Sequence, residues 1–380
     1  MFALRADRLF DGNDMVENPI VTIDGSKVVS VGRAAPTDVG VDDLGDVTLM
    51  PGLIDCHQHL CFDGSGPLDK QVATVSDDEL ADRVRANARR ALRAGITTIR
   101  DLGDRDFVTL AVRGEPGVPT ILASGPPLTA RGGHCWFLGG ECDDGDALAD
   151  AIHERKRRGC DVVKVMVTGG ALTPTFPMWA SQFTAEEMTR AVATAHSVGL
   201  PVAAHCHGIE GTAMAIAAGV DTIEHCTFFT PAGRSEPDEA LMDTIVAAGI
   251  TVSATLGRLP NHVGPPVIEA NLATVVDAVG AIRSRGGRIV VGTDAGISLG
   301  KPHDVLPFAA DELAHIGVTG VELLTTLTST AAHACGVGDR KGQLTPGFDA
   351  DIIAIAGDPA QQAEALQAIR AVWHRGVRVA

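Results

Sequence analysis

The sequence is poor in aromatic residues, which make up 4% of its 380 residues, and it contains no tyrosine. Without tyrosine, a phenol cannot serve as a catalytic acid or as a hydrogen-bond donor to an oxyanion. Basic side chains are outnumbered, with 31 lysines and arginines against 48 aspartates and glutamates, and the formal net charge is −17. This negative charge argues against nucleic acids and anionic membranes as partners.

Signals for export and for membrane insertion are also missing. The segment from Met1 to Arg8 has neither the apolar region nor the cleavage site of a signal peptide, and no apolar run approaches transmembrane length. The eight cysteines are scattered, without C-x-x-C pairs. Three of them stand beside histidines at predicted strand ends and are interpreted as small core residues in a reducing compartment: Cys56, Cys206 and Cys226. We therefore expect a cytoplasmic protein.

A pattern of helix, glycine and apolar strand recurs through the middle of the chain. Glycine adopts the left-handed conformation that ends many helices without steric cost, and it stands at this point six times, as Gly95, Gly159, Gly199, Gly219, Gly249 and Gly287. Capping boxes, with a glutamate three residues after the capping hydroxyl, are predicted at Ser76, Thr184 and Thr319. Together with apolar strands leading into His57 and over residues 119–124, this gives eight strands that alternate with helices.

Eight such units predict an α/β fold of the (β/α)8 barrel type. A doubly wound open sheet is the alternative, but no G-x-G-x-x-G follows the first strand. Short alternating strands at both ends of the chain predict a small β-sandwich built from both termini, because chain termini often lie close together. The predicted organisation is residues 1–50 for the first part of the sandwich, 51–340 for the barrel and 341–380 for the second part.

Residues that bind metals follow the predicted barrel strands. The first strand leads into His57 and His59, whose side chains point to the same side because they are two residues apart. Later strands end at Lys164, His205, His225 and Asp294. Barrel active sites lie at the carboxyl ends of the strands, and such a buried cluster without a metal would leave charges unpaired. The pattern predicts a metal site. A site with a single ion, in which Lys164 is an ammonium paired with Asp294, is one form that this site could take.

These residues resemble a known family. The motif Pro51-Gly-Leu-Ile-Asp-Cys-His-Gln-His59, Lys164, His205, Ile223-Glu-His225 and Gly292-Thr-Asp294 are similar to those of the amidohydrolase superfamily. Further segments resemble its imidazolonepropionase-related and Xaa-Pro dipeptidase (prolidase)-like branch: Gly132-Gly-His134, Lys164 to Gly170, His205 to Gly208, Ala217 to His225, and Gly347 to Ile352. The resemblance covers nearly the whole chain.

The resemblance implies a centre of two divalent ions, expected to be Zn²⁺. His57, His59 and Asp294 would hold the first ion, and His205 and His225 the second. Lys164 would bridge them after reaction with carbon dioxide to a carbamate; a lysine buried in a barrel has a lowered pKa, so its free amine can react. Asp294 would take a proton from the metal-activated water, leaving hydroxide, and pass that proton to the leaving amine.

The remaining site residues are predicted from their positions. His134 or His207 would donate to the oxyanion, although His207 could instead orient a ligand and His134 could belong to a covering loop. Arg258, after the seventh strand, would bind a substrate carboxylate unless it forms a salt bridge, and Arg131 is a second choice. The apolar loop over residues 172–179, with Trp179, would cover the pocket or form an oligomer contact.

The sequence therefore predicts a metal-dependent hydrolase that cleaves a C–N bond of a small molecule, either a dipeptide of the Xaa-Pro kind or an N-acyl amino acid. Hydrolysis of a cyclic amide or of a xenobiotic amide or carbamate is the alternative within enzymes. A non-catalytic metal-binding barrel is disfavoured, because a binding protein has no need of Asp294 as a base. The family resemblance also allows a homo-oligomer.

Overall fold

The computed structural model describes residues 1–173, 176–236, 239–262 and 264–380. Strands and helices alternate along this part of the chain in a mixed α/β fold. None of the helices described there is both long enough and apolar enough to cross a membrane.

The strands fall into a terminal set and a central set. In chain order they are β1 (Phe2–Arg5), β2 (Arg8–Phe10), β3 (Met15–Glu17), β4 (Ile20–Asp24), β5 (Lys27–Gly32), β6 (Val41–Asp43), β7 (Val47–Pro51), β8 (Leu53–Gln58), β9 (Ile96–Asp101), β10 (Thr120–Ala123), β11 (Thr129–Ala130), β12 (Glu141–Cys142), β13 (Val163–Met166), β14 (Val202–Gly208), β15 (Thr222–Thr230), β16 (Gly233–Arg234), β17 (Thr251–Ala254), β18 (Arg288–Val291), β19 (Ile352–Ala356), β20 (Ile369–His374) and β21 (Val377–Arg378).

The helices lie between the central strands and after them. They are α1 (Leu68–Ala73), α2 (Asp77–Arg93), α3 (Val108–Val112), α4 (Gly145–Arg158), α5 (Ala185–Ser197), α6 (Ile209–Ala218), α7 (Glu239–Ala247), α8 (Pro266–Glu269), α9 (Leu272–Ser284), α10 (Ala309–His315), α11 (Gly320–Thr326) and α12 (Ser329–Ala334), with 3₁₀ turns at Trp136–Leu138, Leu306–Phe308 and Ala363–Gln367.

The predicted helix ends are largely confirmed. Ser76 and Thr184 form complete capping boxes at the starts of α2 and α5. The box predicted at Thr319 is wrong, because its side chain makes no capping hydrogen bond, and the carboxylate of Glu322 pairs instead with Arg283 at 2.5 Å. Five of the six predicted glycines have φ between 65° and 82°, whereas at the sixth position Gly286, not Gly287, takes the left-handed conformation with φ 87°.

Eight parallel strands among the described residues form the centre of the molecule, in two hydrogen-bonded sheets. Their orders are β10-β9-β8 and β13-β14-β15-β17-β18. The edges of the two sheets meet at two parallel bridges, from Gln58 to Ala295 and from Leu128 to Val165. All eight carboxyl ends therefore point the same way, and residues that follow these strands are brought together. The strands β8, β9 and β14 are buried at every residue, since helices cover their outer faces.

Residues from both ends of the chain share a separate sheet. Its order is β21-β20-β19-β7-β2-β3, and β19 pairs antiparallel with β7 over Ile352–Ala356 and Val47–Pro51. A second sheet, β5-β4-β1-β6, is N-terminal only. Leu9 and Leu49 pack with Ile352 and Trp373 in a common core, distinct from that of the central strands.

A cluster of ion pairs joins the two parts of this terminal unit. Lys341 Nζ lies 2.9 Å from Asp349 and 2.5 Å from Asp351, and its side chain is 2% exposed. Lys27 of β5, whose side chain is 45% exposed, binds the same Asp349 at 2.8 Å. Because Lys341, Asp349 and Asp351 are largely withdrawn from water, each depends on its partners for compensation.

We expect Lys341→Met to lower the free energy of unfolding by about 3–5 kcal/mol, because it removes the buried ammonium that pairs with both Asp349 and Asp351. The measurement is equilibrium unfolding in urea. Arg5→Met is the matched control: its pair with Asp43 is about half exposed at 3.4 Å, so its loss should cost about 0–1 kcal/mol. Equal effects of the two substitutions would show that the Lys341 cluster does not stabilise the fold.

Candidate metal centre

The first group of potential ligands lies at the end of β8. His57 Nε2 and His59 Nε2 are 3.2 Å apart, and Asp294 Oδ1 lies 3.6 Å and 3.3 Å from them. The Nδ1 atoms contact Glu224 Oε2 and the carbonyl oxygen of Gly103, both at 3.0 Å. Because those oxygens accept hydrogen bonds, each Nδ1 carries a proton and each Nε2 directs its lone pair toward the other and toward Asp294.

The point where these three atoms meet attracts positive charge. Burial, with the charge of Lys164, lowers the pKa of His57 to about 4, so its ring is neutral at pH 7. Burial also works against a charge on His59, but Asp294 outweighs it and the pKa of His59 is raised. Burial alone would raise the pKa of Asp294, yet His57, His59 and Lys301 lower it well below its ordinary range. Two lone pairs and a carboxylate at these distances fit a divalent cation.

The backbone is strained where it delivers two of the potential ligands. Asp294 has φ 58° and His225 has φ 68°, a left-handed conformation that costs roughly 1–3 kcal/mol for residues other than glycine. The Asp294 N–H donates to the carbonyl oxygen of His57 at 2.7 Å, which holds the turn in place. Two residues earlier, a Cβ on Gly292 would lie 2.3 Å from Cβ of His57, so only glycine fits there.

The second group consists of His205 and His207, which lie in β14, and His225, which lies in β15. Their ligand-capable nitrogens lie within 4.8 Å of one another. Burial lowers the pKa of His207 to about 4, and burial and neighbouring histidines hold the pKa values of the other two well below the ordinary range. Three neutral imidazoles at this spacing are typical of a metal site. The ring of His225 is 5.2 Å from that of His57, so the two groups adjoin.

Lys164 lies on β13 between the two groups and lines the same cavity. Its side chain is fully buried, and Nζ has no hydrogen-bond partner among the described residues. Burial lowers the pKa of Lys164 to about 8, against the opposing effect of Glu224 and Asp294. A buried ammonium without acceptors is costly, so this nitrogen fits a group that it would bind or carry.

Glu224 is a supporting residue whose role the sequence did not reveal. It is fully buried, accepts from Arg100 Nη2 at 2.8 Å and from Thr222 Oγ1 at 2.7 Å, and accepts the Nδ1 proton of His57. The Arg100 charge and His57 outweigh burial and hold the pKa of Glu224 well below its ordinary range. A carboxylate in this position fixes both the tautomer and the orientation of a ligating histidine.

Asp55 and Lys301 form hydrogen bonds that stabilise the segment after β18, which carries Asp294. Asp55 accepts from the N–H and the hydroxyl of Thr293, at 2.9 Å and 2.7 Å. Lys301 Nζ donates to three backbone carbonyls, those of Thr255, Gly257 and Thr293. The position of Asp55 in the motif that precedes His57 was a signal for its importance, whereas nothing local marked Lys301.

His134 reaches the cavity from the loop that follows the third central strand. Its ring lies 4.6 Å from that of His205, and its Nδ1 contacts Thr173 Oγ1 at 2.9 Å. Thr173 Oγ1 also accepts from the N–H of Cys135 at 3.3 Å, and its own proton can be donated to Nδ1 of His134. In that arrangement His134 Nε2 carries the ring proton and is a potential donor. Gly170 makes room for this ring, because a Cβ there would lie 2.4 Å from it.

Of the residues predicted to recognise substrate, Arg258 lines the cavity. Its Nη1 contacts both carboxylate oxygens of Glu269, at 2.9 Å and 3.1 Å, and its Nε lies 3.8 Å from Glu312. Nη2 makes no hydrogen bond to the described residues, so it is available to a ligand. The nearby wall is apolar and is formed by Leu256, Ile268, Leu272, Val275 and Val279.

The other two predicted recognition residues lie outside the cavity lining. Arg131 is 73% exposed and pairs with Asp143 at 2.6 Å, because the loop after β11 turns its side chain toward solvent. Trp179 is 38% exposed. Of the loop over residues 172–179, Leu172 lines the cavity, while positions 174 and 175 lie outside the described residues.

The chain is similar to known proteins in both sequence and structure. The sequence profile of the amidohydrolase family matches residues 48–379. The chain is 28% identical over 367 residues to an ochratoxinase of Aspergillus niger, covering 86% of this chain and 74% of that protein. It is 27% identical to an imidazolonepropionase of Deinococcus deserti, covering 98% and 93%. The crystal structure of a Xaa-Pro dipeptidase with bound methionine matches with a TM-score of 0.86 and 25% identity, over 99% of both chains.

We expect Glu224→Gln to weaken the affinity for Zn²⁺ by about 10- to 100-fold, because the neutral amide holds His57 less firmly. Competition with a chelator measures this affinity, and circular dichroism confirms that the variant is folded. Glu187→Gln, at the surface start of α5, is the matched control and should bind like the unsubstituted protein. Unchanged affinity in folded Glu224→Gln would rule out an orienting role for Glu224.

Proposed function

We propose that this chain, which belongs to the amidohydrolase family, is a metal-dependent amidohydrolase that cleaves a dipeptide or an N-acyl amino acid. Its relatives named above, an ochratoxinase and an imidazolonepropionase, are hydrolases acting on C–N bonds. The observation that carries this proposal is the convergence of two potential ligand groups and Lys164 on one cavity. A supporting observation is the similarity to a Xaa-Pro dipeptidase structure along the whole chain.

The proposed architecture is a closed (β/α)8 barrel over residues 51–340, with a β-sandwich from residues 1–50 and 341–380. Closure is supported by the two bridges between the edges of the central sheets. The sandwich is supported by the pairing of β7 with β19 and by its own apolar core. A barrel of this kind places its active site at the carboxyl ends of the strands, where the cavity lies.

The proposed cofactor is a pair of divalent ions, Zn²⁺ in our interpretation because nitrogen ligands dominate. His57, His59 and Asp294 would hold one ion, and His205 and His225 the other, with His207 close enough to His205 and His225 to be a third ligand. Lys164 would carry a carbamate: its free amine attacks carbon dioxide, an N–C bond forms and a proton leaves. The unpartnered, buried Nζ supports this modification.

Bound ions of this kind supply Lewis acidity and lower the pKa of water toward neutrality. The chain's own contribution begins with Asp294, whose carboxylate is ionised at neutral pH and faces the cavity. It would accept a proton from the attacking water and return it to the leaving amine. The constrained turn at Asp294, held by its N–H bond to the His57 carbonyl, would keep the carboxylate oriented for both transfers.

His134 is the proposed donor to the oxyanion. In our proposal the hydroxyl of Thr173 donates to Nδ1, so that Nε2 carries the ring proton, and the ring is buried beside His205. His207 is the alternative donor, with Nδ1 bound to Thr227 Oγ1 at 2.7 Å. A donor of this kind stabilises the charge that develops on the carbonyl oxygen.

The substrate would carry an apolar group against the wall formed by Leu256, Ile268, Leu272, Val275 and Val279, and a carboxylate near Nη2 of Arg258. Trp179 and Arg131 lie outside the cavity lining, and Arg131 pairs with Asp143 in solvent, so neither is assigned a contact with the substrate. Hydrolysis of a cyclic amide is the second candidate, favoured by the similarity to an imidazolonepropionase. A xenobiotic amide or carbamate is a further candidate, supported by the ochratoxinase similarity.

We propose that the protein is located in the cytoplasm. The proposed function is compatible with a homo-oligomer.

The test of the proposed function is a panel of dipeptides, N-acyl amino acids, lactams and carbamates, assayed with the zinc-loaded protein. We expect turnover of apolar dipeptides or N-acyl amino acids. Turnover of lactams alone would favour the second candidate.

Asp294→Asn should lower kcat roughly 100- to 10,000-fold, because the amide cannot shuttle the proton, while elemental analysis finds the metal retained. Full activity of this variant would rule out Asp294 as the proton shuttle.

We expect Arg258→Met to raise KM about 10- to 100-fold for substrates with a free carboxylate, since it removes a charge-assisted contact of about 1.5–3 kcal/mol. The corresponding amidated substrates should show no change, and comparing the two KM ratios isolates the carboxylate contact. Arg131→Met is the matched control, an arginine with its own aspartate partner outside the cavity. The same KM change for both substrate forms would show that Arg258 does not recognise the carboxylate.

A further inference from the structure

Two cysteines that are far apart in the sequence meet behind the first central strand. Cys56 and Cys335 are separated by 279 positions, and their Sγ atoms lie 3.6 Å apart. Both are free thiols. We propose that this pair is an oxidation site, which a peroxide converts into an intramolecular disulfide and a thiol reductant restores. The proposal does not depend on the identity of the substrate.

The side chain of Cys56 points away from the metal centre. Alternation along β8 places His57 on the inner face and Cys56 on the outer one, where it packs with Ile54, Leu122, Ala331 and Val337. Cys335 ends α12, and its N–H donates to the carbonyl oxygen of Ala331 at 3.0 Å. The two thiols therefore face each other across the boundary between a strand and its covering helix.

The two elements are held in a fixed relation, which keeps the thiols in position. The N–H of Ile54 in β8 donates to the carbonyl oxygen of Leu327 at 3.0 Å, directly before α12. A disulfide has a bond length of about 2.05 Å, so closing the present gap of 3.6 Å requires the two sulfur atoms to approach each other by about 1.5 Å.

The exposure of the cysteines indicates which of the two thiols would be oxidised first. All eight belong to the described residues; seven are buried, and Cys335 alone is partly exposed. Cys335 is therefore the most accessible of the cysteines to a small oxidant in solution. Cys56, fully buried behind it, is protected from direct oxidation and is placed to react with the oxidised Cys335.

The chemistry balances with hydrogen peroxide as the oxidant. The Cys335 thiolate attacks one peroxide oxygen; an S–O bond forms, the O–O bond breaks and water leaves, giving a sulfenic acid. The Cys56 sulfur then attacks the sulfenic sulfur; an S–S bond forms, the S–O bond breaks and a second water leaves. Two thiols lose two electrons and two protons in total, and one peroxide is reduced to two waters.

The disulfide would tie β8, which carries His57, to a helix near the end of the central segment. Closing so long a loop restricts the unfolded chain and stabilises the folded one. A rise in Tm after oxidation is therefore expected as a second consequence, independent of any activity.

The experiment exposes the intact, metal-loaded protein to a small excess of hydrogen peroxide, quenches it, and counts thiols after denaturation. We expect the count to fall from eight to six, the intact mass to fall by two hydrogens, and a protease digest to contain one peptide pair joined through Cys56 and Cys335. The Tm should rise, and dithiothreitol should restore all eight thiols and the original Tm.

Two variants act as controls. Cys335→Ser should keep all seven of its thiols under the same treatment, and its Tm should not rise. Cys160→Ser, which removes a buried cysteine elsewhere, should lose two thiols as the unsubstituted protein does. The proposal is wrong if the protein retains eight thiols, if the disulfide joins other cysteines, if Cys335 accumulates as a sulfinic acid, or if Cys335→Ser still loses two thiols.

Discussion

Two imidazole lone pairs and a carboxylate oxygen share one buried point in this protein, and the rest of the site is arranged around that concentration of negative potential. His57 and His59 face each other at 3.2 Å with Asp294 beside them. In a water-excluded site such atoms repel one another unless a cation lies between them. A positive ion between these atoms would relieve the repulsion, and the left-handed backbone at Asp294, which is itself unfavourable, places the carboxylate beside the two rings.

Charged residues around the potential ligands hold this arrangement in place. Arg100 compensates Glu224, which in turn holds the Nδ1 proton of His57. Lys301 lines the cavity, donates to three carbonyl oxygens and offsets the charge of Asp294. Since each of these groups has more than one partner, the protein itself orients the potential ligand atoms. Preorganisation of this kind would lower the cost of binding an ion and of reaching a transition state.

Much of the site was predictable because its residues follow strands. The residues at the strand ends, from His57 to Asp294, were found by alternation and by the helix, glycine and strand pattern, and the structure brings them together around one cavity. The prediction that failed depends on a contact with another helix. The capping box expected at Thr319 is absent, and Glu322 pairs with Arg283, which is 39 positions away in the sequence.

The sequence by itself determined the order of the elements, the strand ends at which the ligands stand and the sign of the net charge, because periodicity and glycine placement are local properties of the chain. Only the tertiary structure decided which side chains meet. The contacts of Glu224 with Arg100 and of Cys56 with Cys335 join positions that are 124 and 279 residues apart and that no local pattern relates. The physical reason is that such contacts arise from the closing of sheets and the packing of helices over them, which bring together residues separated by hundreds of positions.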